Sequence, residues 1–174
     1  MKTLSFSSLV IAISVLWITV RIIMVMLSKK ISWKREIQLL LVYICILVVV
    51  RMTFFAFHLV DGKIEPLTIT FTEYRTNFTP LVHLFDYPTL SDLLLNVIGN
   101  CALFIPVGII LPSVYGKLNR FYKVLFAGAL FSLLIEISQL IFTNRLFDVD
   151  DLVLNTFGCC IGYGIYCIVK TIKK

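Results

Sequence analysis

The sequence has little of what a soluble catalytic domain needs. Only 15% of its 174 residues are charged and only two are histidine, whereas 59% are hydrophobic. Soluble domains contain roughly 45–50% apolar residues. There is no glycine-rich phosphate loop and no internal repeat. These absences exclude a large water-soluble enzyme domain, and they argue against a transporter built from repeats.

Cysteine is present, but not in a pattern that predicts disulfides or a metal site. All five cysteines fall inside long hydrophobic runs, and none has a metal-ligand spacing. They are Cys45, Cys101, Cys159, Cys160 and Cys167. We therefore interpret them as packing residues and expect neither a bound metal nor a cofactor.

Long hydrophobic runs make up most of the sequence. A membrane-spanning helix needs about 20 apolar residues, and five such runs occur. They are residues 4–27, 37–60, 93–111, 122–142 and 152–169. The first run is too long for a signal peptide, so we expect it to remain as an anchor. The sequence predicts an all-α integral membrane protein with about five spans, one membrane domain over residues 1–174, and Pro112 ending the third span.

Lysine and arginine set the expected orientation. Three basic clusters, at 29–35, 117–123 and 170–174, fall on one side of a five-span arrangement, and short basic loops remain cytoplasmic. We therefore place the N-terminus outside, the C-terminus in the cytoplasm and the long connection 61–91 outside. The net charge of +6 reflects this topology and does not predict a nucleic-acid partner.

Polar side chains recur at helical spacing in the last three spans. They are Asp92, Asn96 and Asn100, then Ser132, Glu136, Gln139 and Thr143, then Asp148, Asp150, Asp151 and Asn155. Steps of three and four residues place the first two sets, and Asp148, Asp151 and Asn155 of the third, on one face of each helix. At about 1.5 Å per residue, several lie roughly 6–12 Å below the predicted outer interface. Polar groups at one depth on three helices predict a cavity open to the outer leaflet.

Other interpretations of these residues stay open. Asn, Gln and Ser hold helices together in membranes, so the stripes also fit pure packing. Glu136 argues against that, because a carboxylate inside a span is disfavoured by about 2.5–3.5 kcal/mol. Arg51 is its expected partner. Asp148 and Asp151 resemble a capping box. A divalent metal held by Asp148, Asp150, Asp151 and Glu136 is also possible, since hard cations favour carboxylates, but no ligand spacing specifies it.

The polar residues belong to an ordered series of short motifs. The series runs Asn96-x-x-Gly99-Asn100-x-x-x-Phe104-x-Pro106-x-Gly108, then Glu136-x-x-Gln139, Arg145-x-x-Asp148-x-Asp150-Asp151 and Asn155-Thr156-x-Gly158, preceded by Asn77-Phe78-x-Pro80. It resembles the signature of the VanZ family of bacterial membrane proteins. The resemblance covers about residues 75–164, and the first two spans match only as hydrophobic helices.

The resemblance implies a multi-pass protein of the bacterial cell membrane with a role in the envelope, since the family is named for low-level teicoplanin resistance. The leading hypothesis is a pocket, facing outward, that engages a lipid-linked envelope precursor or a lipoglycopeptide among membrane lipids. Its candidate ligand-binding residues are Arg75, Asn96, Asn100, Glu136, Gln139, Arg145, Asp148, Asp150, Asp151 and Asn155. A membrane enzyme with Glu136 or Asp150 as acid or base is the rival, and a transporter or a structural protein is the third possibility.

Overall fold

The computed structural model describes residues 2–28, 31–55, 59–60, 63–64, 67–69, 76–80, 88–141 and 147–172. Within these ranges five helices are long and apolar enough to cross a membrane, which confirms the predicted fold class. They are α1 (Phe6–Ser28), α2 (Trp33–Phe54), α3 (Leu90–Val114), α4 (Phe121–Gln139) and α5 (Val149–Ile172). The helices pack as two compact units, Met1–Thr70 and Phe71–Lys174, which we call unit 1 and unit 2.

Unit 1 holds α1, α2 and four short strands. Strands β1 (Lys2–Leu4) and β4 (Leu67–Ile69) pair antiparallel, as do β2 (Leu59–Val60) and β3 (Lys63–Ile64). The two helices are joined by an ion pair between Arg21 and Glu36 and by a hydrogen bond of 2.6 Å between the hydroxyls of Ser14 and Tyr43. Partly buried polar contacts of this kind hold helices together where lipid offers no hydrophobic driving force.

The predicted end of the second span was wrong. The sequence placed it at Val60, but α2 ends at Phe54, and Val60 lies in strand β2. Hydrophobicity continues through this region without a break, and a short apolar run does not distinguish a helix from a strand.

Unit 2 holds α3, a 3-10 turn (Gly116–Leu118), α4, α5 and the strands β5 (Thr76–Asn77) and β6 (Phe147–Asp148). Glycines let α3 and α5 approach closely. A Cβ atom on Gly158 would overlap the backbone carbonyl of Cys101, and one on Gly162 would overlap that of Ile105. The spacing of Gly158 and Gly162 is the small-xxx-small pattern of close helix pairs in membranes.

The proline in the third span does not end it. Helix α3 contains Pro106 and Pro112 and continues to Val114, so the predicted end at Pro112 was wrong. A proline removes one backbone hydrogen bond, but neighbouring helices compensate inside membranes. Pro112 is buried, and the N–H of Tyr115 donates to the carbonyl of Leu111, so the helical pattern resumes around the proline.

The predicted orientation makes a direct labelling prediction. In intact cells, a cysteine introduced at position 144 should react with a membrane-impermeant maleimide, whereas one introduced at position 117 should not. The unsubstituted chain is the control, because its five native cysteines all lie within helices. Equal labelling of both positions, or the reverse pattern, would overturn the orientation.

Candidate functional site

Two short strands bring distant parts of unit 2 together at one end of its helices. Strands β5 and β6 pair in parallel, with Asn77 opposite Asp148. The Asn77 side-chain Nδ2 donates to Asp148 Oδ1 at 3.0 Å, and Asn77 Oδ1 accepts from the N–H of Thr79 at 3.0 Å. With only 5% of its surface exposed, Asn77 is a buried link between the segment before α3 and the start of α5.

Asp148 caps helix α5. Its Oδ1 accepts from the backbone N–H of Asp150 at 2.9 Å, as an N-cap residue does. Its own N–H donates to Glu136 Oε2 at 3.0 Å. Asp148 is therefore the N-cap residue, as the sequence predicts. In a capping box its N–H would donate to Asp151, but here it donates to Glu136 of α4. A carboxylate from a neighbouring helix thus fixes the start of α5.

Asp151 connects α5 to α3. The Asn100 side-chain Nδ2 donates to Asp151 Oδ1 at 2.7 Å. Asn96, one turn earlier on α3, lies near the same carboxylate. Asp92, which shares the face of these two asparagines in the sequence, is exposed and instead bonds to Thr89 at the start of α3. The polar face of α3 therefore meets α5 at its two asparagines, and not at Asp92.

A second polar layer lies one helical turn further in. The Asn155 side-chain Nδ2 donates to Ser132 Oγ at 3.0 Å. Both residues are buried, and each lies four positions from a carboxylate described above, Asn155 after Asp151 on α5 and Ser132 before Glu136 on α4. Among the described residues, the buried Oδ1 of Asn155 has no hydrogen-bond partner. This layer therefore keeps one acceptor without a donor.

We call this arrangement the polar cluster. It comprises Asn77, Asn96, Asn100, Ser132, Glu136, Gln139, Asp148, Asp150, Asp151 and Asn155. Six of these side chains are buried, including Gln139 and Asp150. Eight of the ten residues predicted from the sequence lie in the described part of unit 2, and the side-chain contacts above involve Asn100, Glu136, Asp148, Asp151 and Asn155. The other two, Arg75 and Arg145, lie outside the described residues, as do Thr143 and both histidines.

Sequence reasoning did not select two members of the cluster. Asn77 belonged to the upstream motif, but nothing in the sequence fixes the pairing of β5 with a strand 71 residues away. Ser132 lay in the stripe on α4, yet serine is common in membrane helices and was not chosen as a site residue. Its complete burial against Asn155 became evident only from the packing of α4 on α5.

The charges of unit 2 are separated along its helices. The carboxylates of the polar cluster lie where α4 ends and α5 begins, whereas the described lysines and arginine of this unit lie at the opposite helix ends. These basic residues are Lys117, Arg120, Lys123 and Lys170. In the described part of the chain, no group of three or more His, Cys, Asp or Glu residues is placed to hold a metal ion.

Arg51, the predicted partner of Glu136, belongs to unit 1. Its guanidinium carbon lies 5.5 Å from the centre of the Phe6 ring, a distance typical of a cation–π contact. The partner that the structure gives Glu136 is the backbone N–H of Asp148. The pairing of Arg51 with Glu136 stays a prediction.

Comparison with known proteins identifies the family. No curated protein and no solved structure matches the chain. A family model described as VanZ/LLP1 matches residues 40–170, a range that contains the whole polar cluster. The match covers well over half of the sequence and agrees with the resemblance carried by the motifs. With five helices suited to span a bilayer, this chain is a multi-pass membrane protein that belongs to the VanZ/LLP1 family.

Proposed function

We propose that this protein binds an amphiphilic envelope ligand in the cell membrane and thereby contributes to teicoplanin resistance. The polar cluster receives the headgroup of a lipid-linked envelope precursor or of a lipoglycopeptide. The observation that carries the proposal is the concentration of four carboxylates and five amides where α3, α4 and α5 meet.

The number of carboxylates favours a binding site over packing alone. Amides and hydroxyls hold membrane helices together without charge, as Ser132 and Asn155 do here. A carboxylate in the centre of a span costs about 2.5–3.5 kcal/mol on insertion scales. Glu136 is only 1% exposed, so an ionisable carboxyl group there requires a reason beyond this hydrogen bond, which a glutamine oxygen would also accept.

The apolar surface beside the cluster suits a lipid tail. On α3, the first turns that carry Asn96 and Asn100 also expose Leu94, Leu95 and Ile98. A ligand with its headgroup in the cluster would place its hydrocarbon chain along this surface, where contact with lipid is the ordinary environment of a membrane helix. An amphiphile therefore fits better than a small polar solute.

The acid–base role of Glu136 in the rival enzyme hypothesis has weaker support. One Glu136 oxygen accepts the backbone N–H of Asp148, which holds the carboxylate in place at the start of α5. This contact fits a positioning role at least as well as proton transfer. Substrate-dependent product formation by the purified protein would decide for the enzyme.

Isosteric substitutions in the cluster test the proposal. We expect Gln139→Glu, Asp150→Asn and Asn155→Asp to reduce teicoplanin resistance to that of a host without the protein, at normal membrane abundance. Each change keeps side-chain volume, whereas a site that reads charge and hydrogen-bond direction rejects the altered group. The readout is teicoplanin susceptibility in a host that lacks the protein, with membrane abundance measured in parallel.

Thr156→Val is the matched control for these variants. The Thr156 hydroxyl donates to the Leu152 carbonyl within α5 and has no described contact with the cluster. This variant should confer the same resistance as the unsubstituted protein. If all three cluster variants also confer full resistance at normal abundance, the cluster is structural and the proposal fails.

A further inference from the structure

Unit 2 carries a second charged surface, at the helix ends opposite the polar cluster. Four basic residues lie where the 3-10 turn leads into α4 and where α5 ends, and we call them the basic surface: Lys117, Arg120, Lys123 and Lys170. Three of these side chains are exposed, and that of Lys123 is half-buried. Lys170 and Asp151 of the cluster lie about 28 Å apart along α5, at 1.5 Å per residue. The basic surface is therefore separate from the polar cluster.

A row of aromatic rings joins the two parts of the basic surface. The Tyr163 hydroxyl on α5 donates to the carbonyl of Asn119 at 3.0 Å, just before α4 begins. The ring centroids of Phe121 and Tyr163 are 5.9 Å apart, and those of Tyr163 and Tyr166 are 6.0 Å apart. The Lys170 Nζ lies 5.5 Å from the centroid of the Tyr166 ring. Three rings in contact therefore connect the start of α4 to the basic residue near the end of α5.

No side-chain carboxylate of unit 2 balances this charge. In the described part of the chain, none of the four basic residues forms an ion pair, and the first turn of α4, a favourable place for an acid, has none. Two acids of the unit lie outside the described residues, Glu73 three residues before β5 and Asp86 four residues before α3. Those segments span at most about 14 Å, whereas α3 is about 37 Å long. Neither acid can therefore reach the basic surface from the cluster end.

The combination of rings and cations suits phosphate groups at the membrane boundary. Tyrosine is enriched where a bilayer meets water, and lysine and arginine beside a span attract anionic lipid headgroups. Both side chains bind phosphate through charged N–H donors. Retention of a basic loop in the cytoplasm depends on the number of lysines and arginines and requires no aromatic row. The arrangement therefore favours a lipid partner and is more than a topological signal.

We infer that the basic surface binds the phosphate groups of anionic phospholipids in the leaflet that it faces. Arg120 and Lys170 hold phosphates at the two ends of the aromatic row. The acyl chains lie along exposed apolar side chains further into the span, such as Phe126 on α4 and Ile165 on α5. This site goes beyond the proposed function and does not depend on it.

Quenching of a local tryptophan by brominated lipids tests this inference in the full chain. Trp17→Phe and Trp33→Phe remove the two native tryptophans, and Tyr122→Trp places a fluorophore at an exposed position between Arg120 and Lys123. The protein is reconstituted in phosphatidylcholine bilayers that contain brominated phosphatidylglycerol or brominated phosphatidylcholine. We expect phosphatidylglycerol to have at least tenfold higher apparent affinity for this position. Added salt should weaken this preference, because it screens exposed charges.

Substitutions at the two ends of the row separate charge from structure. Arg120→Gln and Lys170→Gln should each reduce the preference about fivefold, the effect of one basic residue near an anionic surface. Arg120→Lys and Lys170→Arg are the matched controls, because they keep the charge, and both should keep the preference. Melting temperature reports the folding of every variant.

Three results would overturn the inference. They are equal quenching by the two lipids, a preference that survives both glutamine substitutions in folded protein, and its loss in the variants that keep the charge. Complete competition by inorganic phosphate at constant ionic strength would also contradict it, since the surface would then take a soluble anion. None of these measurements involves teicoplanin or the polar cluster, so the proposed function and the lipid site succeed or fail separately.

Discussion

Replacing Gly158 by alanine is expected to destabilise unit 2 strongly. The added methyl group would overlap the Cys101 carbonyl, so α3 and α5 would have to move apart along their closest contact. Overpacking of this kind costs about 1–3 kcal/mol, and here backbone rather than a flexible side chain must move. Alanine gains about 1 kcal/mol of helix propensity over glycine, which offsets only part of that cost.

Gly164→Ala is the matched control on the same helix. A Cβ atom at Gly164 would have no atom within 4 Å, so this variant should gain helix propensity without a steric overlap. We expect the melting temperature of the purified protein in detergent to fall for Gly158→Ala and to stay constant or rise for Gly164→Ala. Equal melting temperatures would show that α3 and α5 can move apart at this contact with little loss of stability.

The sequence was sufficient for the helices because the bilayer imposes a strong length and polarity requirement. Each of the five predicted spans overlaps one observed helix, and hydrophobicity alone located them. Hydrophobicity did not locate helix ends. Hydrophobicity extended the predicted second span past Phe54, where α2 ends, into β2. The rule that proline stops helices ended the predicted third span at Pro112, two residues before α3 ends.

The periodicity of polar residues also placed most of the cluster. Steps of three and four put Glu136, Asp151 and Asn155 on the facing sides of their helices. Asp151 accepts a hydrogen bond from α3, and Asn155 donates one to Ser132 on α4. Register between strands was not accessible in this way. Asn77 meets Asp148 only because β5 and β6 pair in parallel, a tertiary contact without a local signal. Whether the cluster binds a ligand stays a prediction.

Glu136 combines two roles that substitution should separate. Its Oε2 accepts the N–H of Asp148 and so holds the start of α5, and its charge is the feature proposed to recognise a ligand. Glutamine keeps an oxygen acceptor of the same reach but removes the charge. Leucine has similar volume and removes both.

We expect Glu136→Gln to melt at or above the temperature of the unsubstituted protein, because it replaces a buried ionisable group with a neutral amide while keeping the hydrogen bond to Asp148. Glu136→Leu should be about 1–3 kcal/mol less stable than Glu136→Gln, since the half-buried Asp148 N–H then loses its acceptor. Both variants should lose teicoplanin resistance. The difference in melting temperature between the two variants reports the hydrogen bond to Asp148. The difference in teicoplanin susceptibility between Glu136→Gln and the unsubstituted protein reports the role of the carboxylate. Full resistance with Glu136→Gln would mean that the hydrogen bond alone explains Glu136, and that the carboxylate is not the part of the cluster that meets a ligand.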